Sequence, residues 1–277
     1  NTVAAVDFGT LAISHAVGGH TSMAFLLRDG SVKHIGYNGY YALGYGDNTN
    51  RYSVAPNDAL PALSLGSSFV ASSSAVNMFN GCVLSTDEEV KCFGYLARGY
   101  GDTVNRGYSG STTLLGDLLP VIDLGVGEKV DAIATSSYFS CAVLNSNEIK
   151  CWGYSPIGYG DTAPRGDAPG QMGDNLPYIY LGHAFNGGTT RTSTSTTSST
   201  STTTSTSLTS TSTSTTTSTT TTGPRRTRIA VGQGGTSNFN VAVCACSVHG
   251  ILKCWGSNAY GELGYEDVET RGDEPCE

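Results

Sequence analysis

Charged residues are scarce in this sequence, since Asp, Glu, Lys and Arg together make up 14% of its 277 residues. Helix-rich soluble proteins carry about a quarter of such residues, so the scarcity argues against an ordinary helical fold. No apolar run approaches the ~18 residues that a membrane-spanning helix needs. The net charge of -8 gives polyanions no broad electrostatic attraction, which argues against a nucleic-acid partner. No Asn-x-Ser/Thr acceptor occurs, so N-linked glycans are not expected.

Strand and turn formers take the place of the missing charges. The sequence has 36 Gly and 15 Tyr together with abundant Ser and Thr, a composition typical of β-sheets joined by tight turns. We therefore predict an all-β protein. An internal repeat agrees with this prediction, because an apolar strand, a short turn and a second strand ending in Gly recur four times. The four hairpins span residues 24–36, 82–94, 141–153 and 244–256.

A glycine-rich turn with a Tyr follows each hairpin. Each turn also contains an Asp. A single carboxylate provides few ligands for calcium, and Asp commonly caps its own turn, so we interpret this residue as a turn former. In three copies a proline then introduces a second apolar strand, at residues 60–66, 119–125 and 176–182. The Asp precedes an Arg by four residues in every copy, in the pairs Asp47 and Arg51, Asp102 and Arg106, Asp161 and Arg165, and Asp267 and Arg271.

The fourth repeat lacks this last strand, and the beginning of the sequence contains a match for it. Residues 3–9 align with residues 119–125, which places Val3, Val6 and Phe8 on a strand that completes a repeat. Because an unpaired strand edge needs cover, such a strand has two physical uses. It closes a ring within one chain, or it completes the last repeat of a neighbouring chain and builds a head-to-tail fibre. A third interpretation is that the sequence is one period of a longer polypeptide.

The repeats resemble those of the regulator of chromosome condensation (RCC1) family, whose units contain an apolar strand, an Asp-Gly turn, Val-Lys-Cys-Trp-Gly and a Gln-Leu-Gly turn. The last of these is similar to Ala-Tyr-Gly-Glu-Leu-Gly at residues 259–264. The resemblance covers residues 1–188 and 226–277 and implies β-propeller blades, about four antiparallel repeat units in a closed small ring or an open array. The family's propellers usually have seven blades, and its nucleotide-exchange activity has no counterpart that we can locate residue by residue. We therefore carry over the fold and no activity.

The repeats and the insertion between them give a predicted order of segments. The order is a strand at residues 1–10 that completes the last repeat of its own or a neighbouring chain, repeat 1 at 11–68, repeat 2 at 69–130, repeat 3 at 131–188, a Ser/Thr-rich O-glycosylated segment at 189–225, and repeat 4 at 226–277.

Eight cysteines favour an oxidising compartment, provided that their spacing suits pairing. In three hairpins two cysteines stand ten positions apart and symmetric about the turn, so they face each other across paired strands at a bridgeable distance. Closing such a loop of 11 residues is worth ~2.8 kcal/mol. We predict the disulfides Cys82–Cys92, Cys141–Cys151 and Cys244–Cys254.

Buried free thiols and zinc ligands are the alternative interpretations of these cysteines. The first repeat has lost both members of the pair, with Ala24 and His34 in their places, and paired loss fits a disulfide better than independent burial. Zinc would need a close third and fourth ligand. Cys246 and Cys276 remain, and we expect them to pair with each other or with a second chain.

From residue 192 to residue 222 every residue is Ser or Thr except Leu208. Ordering such a segment costs about 1–2 kcal/mol per residue in backbone entropy, which small hydroxyl side chains do not offset by apolar burial. Dense O-linked glycans, as in mucin-like stalks, are our hypothesis for this segment, and a flexible linker is the alternative. The predicted O-glycosylation sites are Thr192, Ser193, Thr194, Ser195, Thr196, Thr197, Ser198, Ser199, Thr200, Ser201, Thr202, Thr203, Thr204, Ser205, Thr206, Ser207, Thr209, Ser210, Thr211, Ser212, Thr213, Ser214, Thr215, Thr216, Thr217, Ser218, Thr219, Thr220, Thr221 and Thr222.

No catalytic constellation emerges from the sequence. The five His residues share no repeat position, and no grouping of acid, base or nucleophile recurs. We therefore predict a non-enzymatic protein with no catalytic residues, no metal site and no cofactor. Because the first residue is Asn1 rather than Met, a removed secretory signal is one interpretation, which suits an extracellular location.

These observations lead to two hypotheses for the function. The first is a secreted, disulfide-stapled and O-glycosylated structural protein, the protomer of an extracellular filament or surface coat that binds copies of itself by head-to-tail strand complementation. The alternative is a soluble β-propeller module that binds a protein or carbohydrate partner.

Overall fold

The computed structural model describes residues 13–52, 60–95, 98–107, 115–154, 157–182, 185, 226–233 and 241–272. The predicted strand with Val3, Val6 and Phe8 lies outside the described residues, as do the Ser/Thr segment from residue 192 to residue 222 and Cys276.

The described residues form four three-stranded antiparallel sheets, one for each repeat. Each sheet consists of three consecutive strands, the second and third of which are the hairpin that the sequence predicts. The strands are β1 (Ile13–Gly18), β2 (Ser22–Leu27), β3 (Val32–Gly36), β4 (Ala71–Val76), β5 (Asn80–Ser85), β6 (Val90–Gly94), β7 (Val130–Thr135), β8 (Phe139–Leu144), β9 (Ile149–Gly153), β10 (Arg228–Gln233), β11 (Val241–Cys246) and β12 (Leu252–Gly256).

The turns of the four hairpins share one backbone conformation. Each contains a residue in the left-handed region, at a φ of 81° for Gly30, 65° for Glu88, 67° for Asn147 and 82° for Gly250. Such a residue closes a short antiparallel connection, which fixes the register of the hairpin. The register in turn places Cys82 opposite Cys92, and the other two cysteine pairs in the same way.

The first strands of the four sheets, β1, β4, β7 and β10, line one channel of about 510 Å³. The third strands lie on the far side of each sheet, where an extended segment after the glycine-rich turn covers three of them. In each case a backbone N–H of the extended segment donates to the carbonyl oxygen of the first residue of the third strand. The bonds run from Leu63 to Val32 over 2.8 Å, from Ile122 to Val90 over 2.7 Å and from Ile179 to Ile149 over 2.8 Å. Four blades therefore follow one another around a shared channel, with their outer edges covered in repeats 1 to 3.

The core lies between successive blades. Leu124, Trp152 and Leu176 belong to one buried cluster between repeats 2 and 3, and Ile157, Ile179 and Trp255 belong to another between repeats 3 and 4. Each blade thus depends on its neighbours for apolar burial, as expected of repeat proteins. No helix in the described part of the chain is long and apolar enough to cross a bilayer.

Candidate assembly site

The turn that follows each hairpin forms a clamp of Tyr, Asp and Arg. In repeat 2 the Tyr100 hydroxyl donates to the carbonyl oxygen of Cys92 and accepts from its N–H, both over 2.9 Å. The Arg106 guanidinium lies 3.7 Å from the centre of the Tyr100 ring and donates to both carboxylate oxygens of Asp102 over 2.9 Å. The clamp ties the turn to β6, and burial raises the pKa of Tyr100 above its ordinary value.

The Asp of each clamp also caps its own turn. The Asp102 Oδ1 atom accepts from the Val104 N–H over 2.9 Å, and Asp47, Asp161 and Asp267 accept from the corresponding N–H groups. Hydrogen bonds from Arg51 and Arg106 hold the pKa of Asp47 and Asp102 below its usual value. The recurring carboxylates of the repeat are therefore engaged in turn formation, and the described residues contain no group of three or more His, Cys, Asp or Glu that could hold a metal ion.

Three disulfides join the second and third strands of repeats 2, 3 and 4, with the pairing that the spacing predicts. The Cα atoms of Cys82 and Cys92 lie 4.1 Å apart, those of Cys141 and Cys151 4.0 Å, and those of Cys244 and Cys254 4.1 Å. The first two disulfides are buried. Among the described residues Cys246 is a free, half-buried thiol.

Lysines on β6 and β9 fasten repeats 2 and 3 to the repeat before them. The Lys91 ammonium donates to the carbonyl oxygens of Leu65 and Gly116 over 2.7 and 3.1 Å. Lys150 donates in the same way to Leu124 and Gly173 over 2.6 and 3.0 Å. Burial lowers the pKa of both lysines. This role was not predicted from the sequence, where its signal is the lysine that follows the first residue of every third strand.

The outer edge of repeat 4 differs from those of the other repeats. The first residue of the third strand is 1% exposed in repeats 1, 2 and 3, where it is Val32, Val90 and Ile149. Its counterpart in repeat 4, Leu252, is 61% exposed, and Lys253 beside it is exposed as well. A strand edge with an apolar residue at the surface is a site at which another strand pairs.

A groove of about 390 Å³ runs beside this edge. Ile179 and Leu181 of repeat 3 line one side, and Lys253, Trp255 and Tyr265 of repeat 4 line the other. At the equivalent place between repeats 2 and 3, Leu176 is 1% exposed and completes the core. The alignment of residues 3–9 with residues 176–182 assigns the position of Leu176 to Val3 and that of Ile179 to Val6. We call β12 and this groove the acceptor edge.

The comparisons with known proteins agree with the repeat type. Residues 130–160 match the pattern described as "Regulator of chromosome condensation (RCC1) repeat". No curated protein matches the chain. Human WBSCR16 has a similar structure with a TM-score of 0.54, at 15% identity over 95% of this chain and 52% of that one.

Two further solved structures are similar over shorter shares of their chains. Yeast RCC1 (Prp20), in a crystal structure of Kap60 bound to it, has a TM-score of 0.42 at 18% identity, over 61% of this chain and 37% of its own. The ectodomain of the Physcomitrella patens receptor kinase CR4 has a TM-score of 0.40 at 15% identity, over 90% and 43%. This chain spans about half or less of the length of these three solved structures.

The chain is therefore built of RCC1-like repeats, as the sequence resemblance predicts. Its described residues form an all-β array of four propeller blades.

Proposed function

We propose that this protein is a non-enzymatic, secreted structural protein whose copies join head to tail, with residues 3–8 of one copy pairing with the acceptor edge of another. The exposure of Leu252, 61% against 1% at the three equivalent positions, carries the proposal. In the assembly, the Val6 N–H donates to the Leu252 carbonyl, as Ile122 donates to Val90. Repetition of this contact builds an extracellular filament or surface coat.

Three disulfides support the extracellular part of the proposal, because disulfides persist in oxidising compartments. The Ser/Thr segment carries O-linked glycans in this account, which keep the segment extended outside the blades. An intact mass above the 28.7 kDa of the polypeptide that returns to this value after O-deglycosylation is the expected result. An unmodified mass in protein isolated from its natural source would contradict the glycan part alone.

Self-association tests the assembly part through a proline substitution with a matched control. Val6→Pro removes the N–H that the acceptor edge needs, whereas Ala4→Pro introduces the proline that repeats 1 to 3 already have at the aligned position, Pro61, Pro120 and Pro177. We expect concentration-dependent association in sedimentation experiments for the unchanged protein and for Ala4→Pro, and its loss for Val6→Pro. A protein that stays monomeric at all concentrations would contradict the proposal.

The second candidate function, a soluble module that binds a protein or carbohydrate partner, is favoured by the channel that the four first strands line. It predicts a monomer in the same experiment.

A further inference from the structure

Successive blades meet through a contact between an apolar side chain and a bare turn glycine. The residue after the second cysteine position of one repeat packs on the glycine of the preceding turn. A methyl group placed on Gly44 would lie 2.5 Å from Phe93, one on Gly99 2.5 Å from Trp152, and one on Gly158 2.6 Å from Trp255. The Trp255 indole also donates to the Ile157 carbonyl over 3.3 Å. The same contact therefore occurs at all three internal junctions.

Each end of the array has one half of this contact without the other half. Repeat 4 has the turn glycine, and repeat 1 has the apolar side chain. Gly264 stands at the position of Gly44, Gly99 and Gly158, and a methyl group placed on it would have nothing within 4 Å. At the other end, Ile35 stands at the position of Phe93, Trp152 and Trp255 and is half-buried.

The strand neighbour of Ile35 distinguishes repeat 1 further. Met23 lies opposite Ile35 and is 42% exposed, whereas Ser140 and Val243, opposite Trp152 and Trp255, are 3% and 0% exposed. Repeat 1 thus presents an apolar surface of Met23 and Ile35, which we call the leading face. Repeat 4 presents a bare surface around Gly264, which we call the trailing face.

We infer that the leading face of one copy docks on the trailing face of a second copy, with Ile35 on Gly264. The occupant is a second copy because three junctions of the same chain already join these two kinds of surface. The inference rests on the proposed function and deepens it, since it adds a blade-to-blade contact between described residues to the pairing of a strand.

The copy-to-copy junction also differs from the internal junctions at the residue that follows the clamp Arg. Tyr52, which is 72% exposed, stands where the later repeats have Gly107, Gly166 and Gly272. The Gly166 carbonyl accepts from the N–H groups of Gly99 and Gly101 in the preceding turn, and a methyl group on Gly166 would lie 2.7 Å from the Gly99 Cα atom. A Tyr at this position holds the two blades farther apart, so the junction is weaker than the internal ones and dissociates reversibly.

Two substitutions with opposite expected effects test the inference. Ile35→Trp introduces the side chain of repeats 3 and 4, whose indole N–H then reaches the Leu263 carbonyl, the counterpart of Ile157. We expect it to lower the dissociation constant of self-association about fivefold. Gly264→Trp fills the trailing face, and we expect it to raise that constant at least about tenfold.

Gly127→Trp is the control for Gly264→Trp. Gly127 also has a left-handed backbone, with a φ of 76° against 73° for Gly264, and a methyl group placed on it would also have nothing within 4 Å. It lies on an exposed turn near the end of repeat 2. Equal effects of the two substitutions, or an unchanged constant for Ile35→Trp, would overturn the inference. Loss of association in Val6→Pro together with normal association in Gly264→Trp would overturn the inference and leave the proposed function in place. A monomeric unchanged protein would overturn both.

Discussion

Ala24 and His34 face each other across β2 and β3 at the register where the other three repeats have a disulfide. The His34 side chain is fully buried, and its Nε2 atom lies 2.8 Å from the Ser74 hydroxyl of the next blade. At this register repeat 1 therefore has a polar contact with repeat 2, where the other repeats have a covalent bond within the hairpin.

The double substitution Ala24→Cys with His34→Cys should create a fourth disulfide. The hairpin has the same register as the three that already carry one, and closing its loop of 11 residues is worth ~2.8 kcal/mol. We expect the double variant to melt at a higher temperature with this disulfide formed than with this disulfide alone selectively reduced. Ala24→Cys alone is the control. Two thiols that remain free under oxidising conditions would contradict the register.

His34 should make stability depend on pH. Burial lowers the pKa of His34 to about 3, against 6.5 when it is unfolded. Between these values the unfolded state binds a proton that the folded state does not. The contribution of neutral His34 to stability is therefore fully present above about pH 6.5. The free energy of unfolding then decreases by up to ~1.4 kcal/mol per pH unit as the pH falls toward 3.

Denaturant unfolding between pH 7 and about pH 4.5 measures this slope. The range excludes most of the titration of Asp47 and Asp102, whose lowered pKa affects stability at more acidic pH. His34→Gln retains a hydrogen-bonding group for Ser74 and should flatten the slope. An equally steep slope in that variant would show that another group is responsible.

Removing one clamp hydroxyl should destabilise the protein by an amount that depends on burial. Tyr100→Phe leaves the backbone N–H and carbonyl of Cys92 without their partner in a buried site, which costs about 1–3 kcal/mol. Tyr265→Phe removes the same two bonds to Cys254, but Tyr265 is 41% exposed and water can replace them. We expect a smaller loss for Tyr265→Phe in chemical denaturation, and equal losses would contradict the clamp's dependence on burial.

The repeated hairpins, their disulfide register and the Asp–Arg turns could be predicted from the sequence, because each depends on residues within about fifteen positions of one another. The contacts between blades could not. Lys91 reaches the Leu65 carbonyl in the preceding repeat, 26 residues away, and Trp255 reaches a carbonyl 98 residues away across the inserted segment. Such contacts follow from how blades stack, and a spacing pattern alone does not encode that geometry.

Lys253 should report assembly through its chemical reactivity. Lys91 and Lys150 are 7% and 2% exposed and donate to two carbonyls each, whereas Lys253 is exposed at the acceptor edge. In the proposed assembly, the docked strand lies along β12 beside Lys253 and reduces the exposure of its amine. We expect amine acetylation of Lys253, followed by mass spectrometry, to be fast in dilute protein and slow in assembled protein, with Lys91 and Lys150 slow in both. Equal rates for Lys253 in the two states would contradict the docking.

Cross-linking from residue 6 tests the central claim most directly, namely that residues 3–8 pair with the acceptor edge of another copy. A photoreactive amino acid replaces Val6 in an isotopically labelled chain that is mixed with an unlabelled chain. The account predicts labelled–unlabelled cross-links that map to residues 252–255. Cross-links confined to one chain, or to residues away from β12, would contradict it.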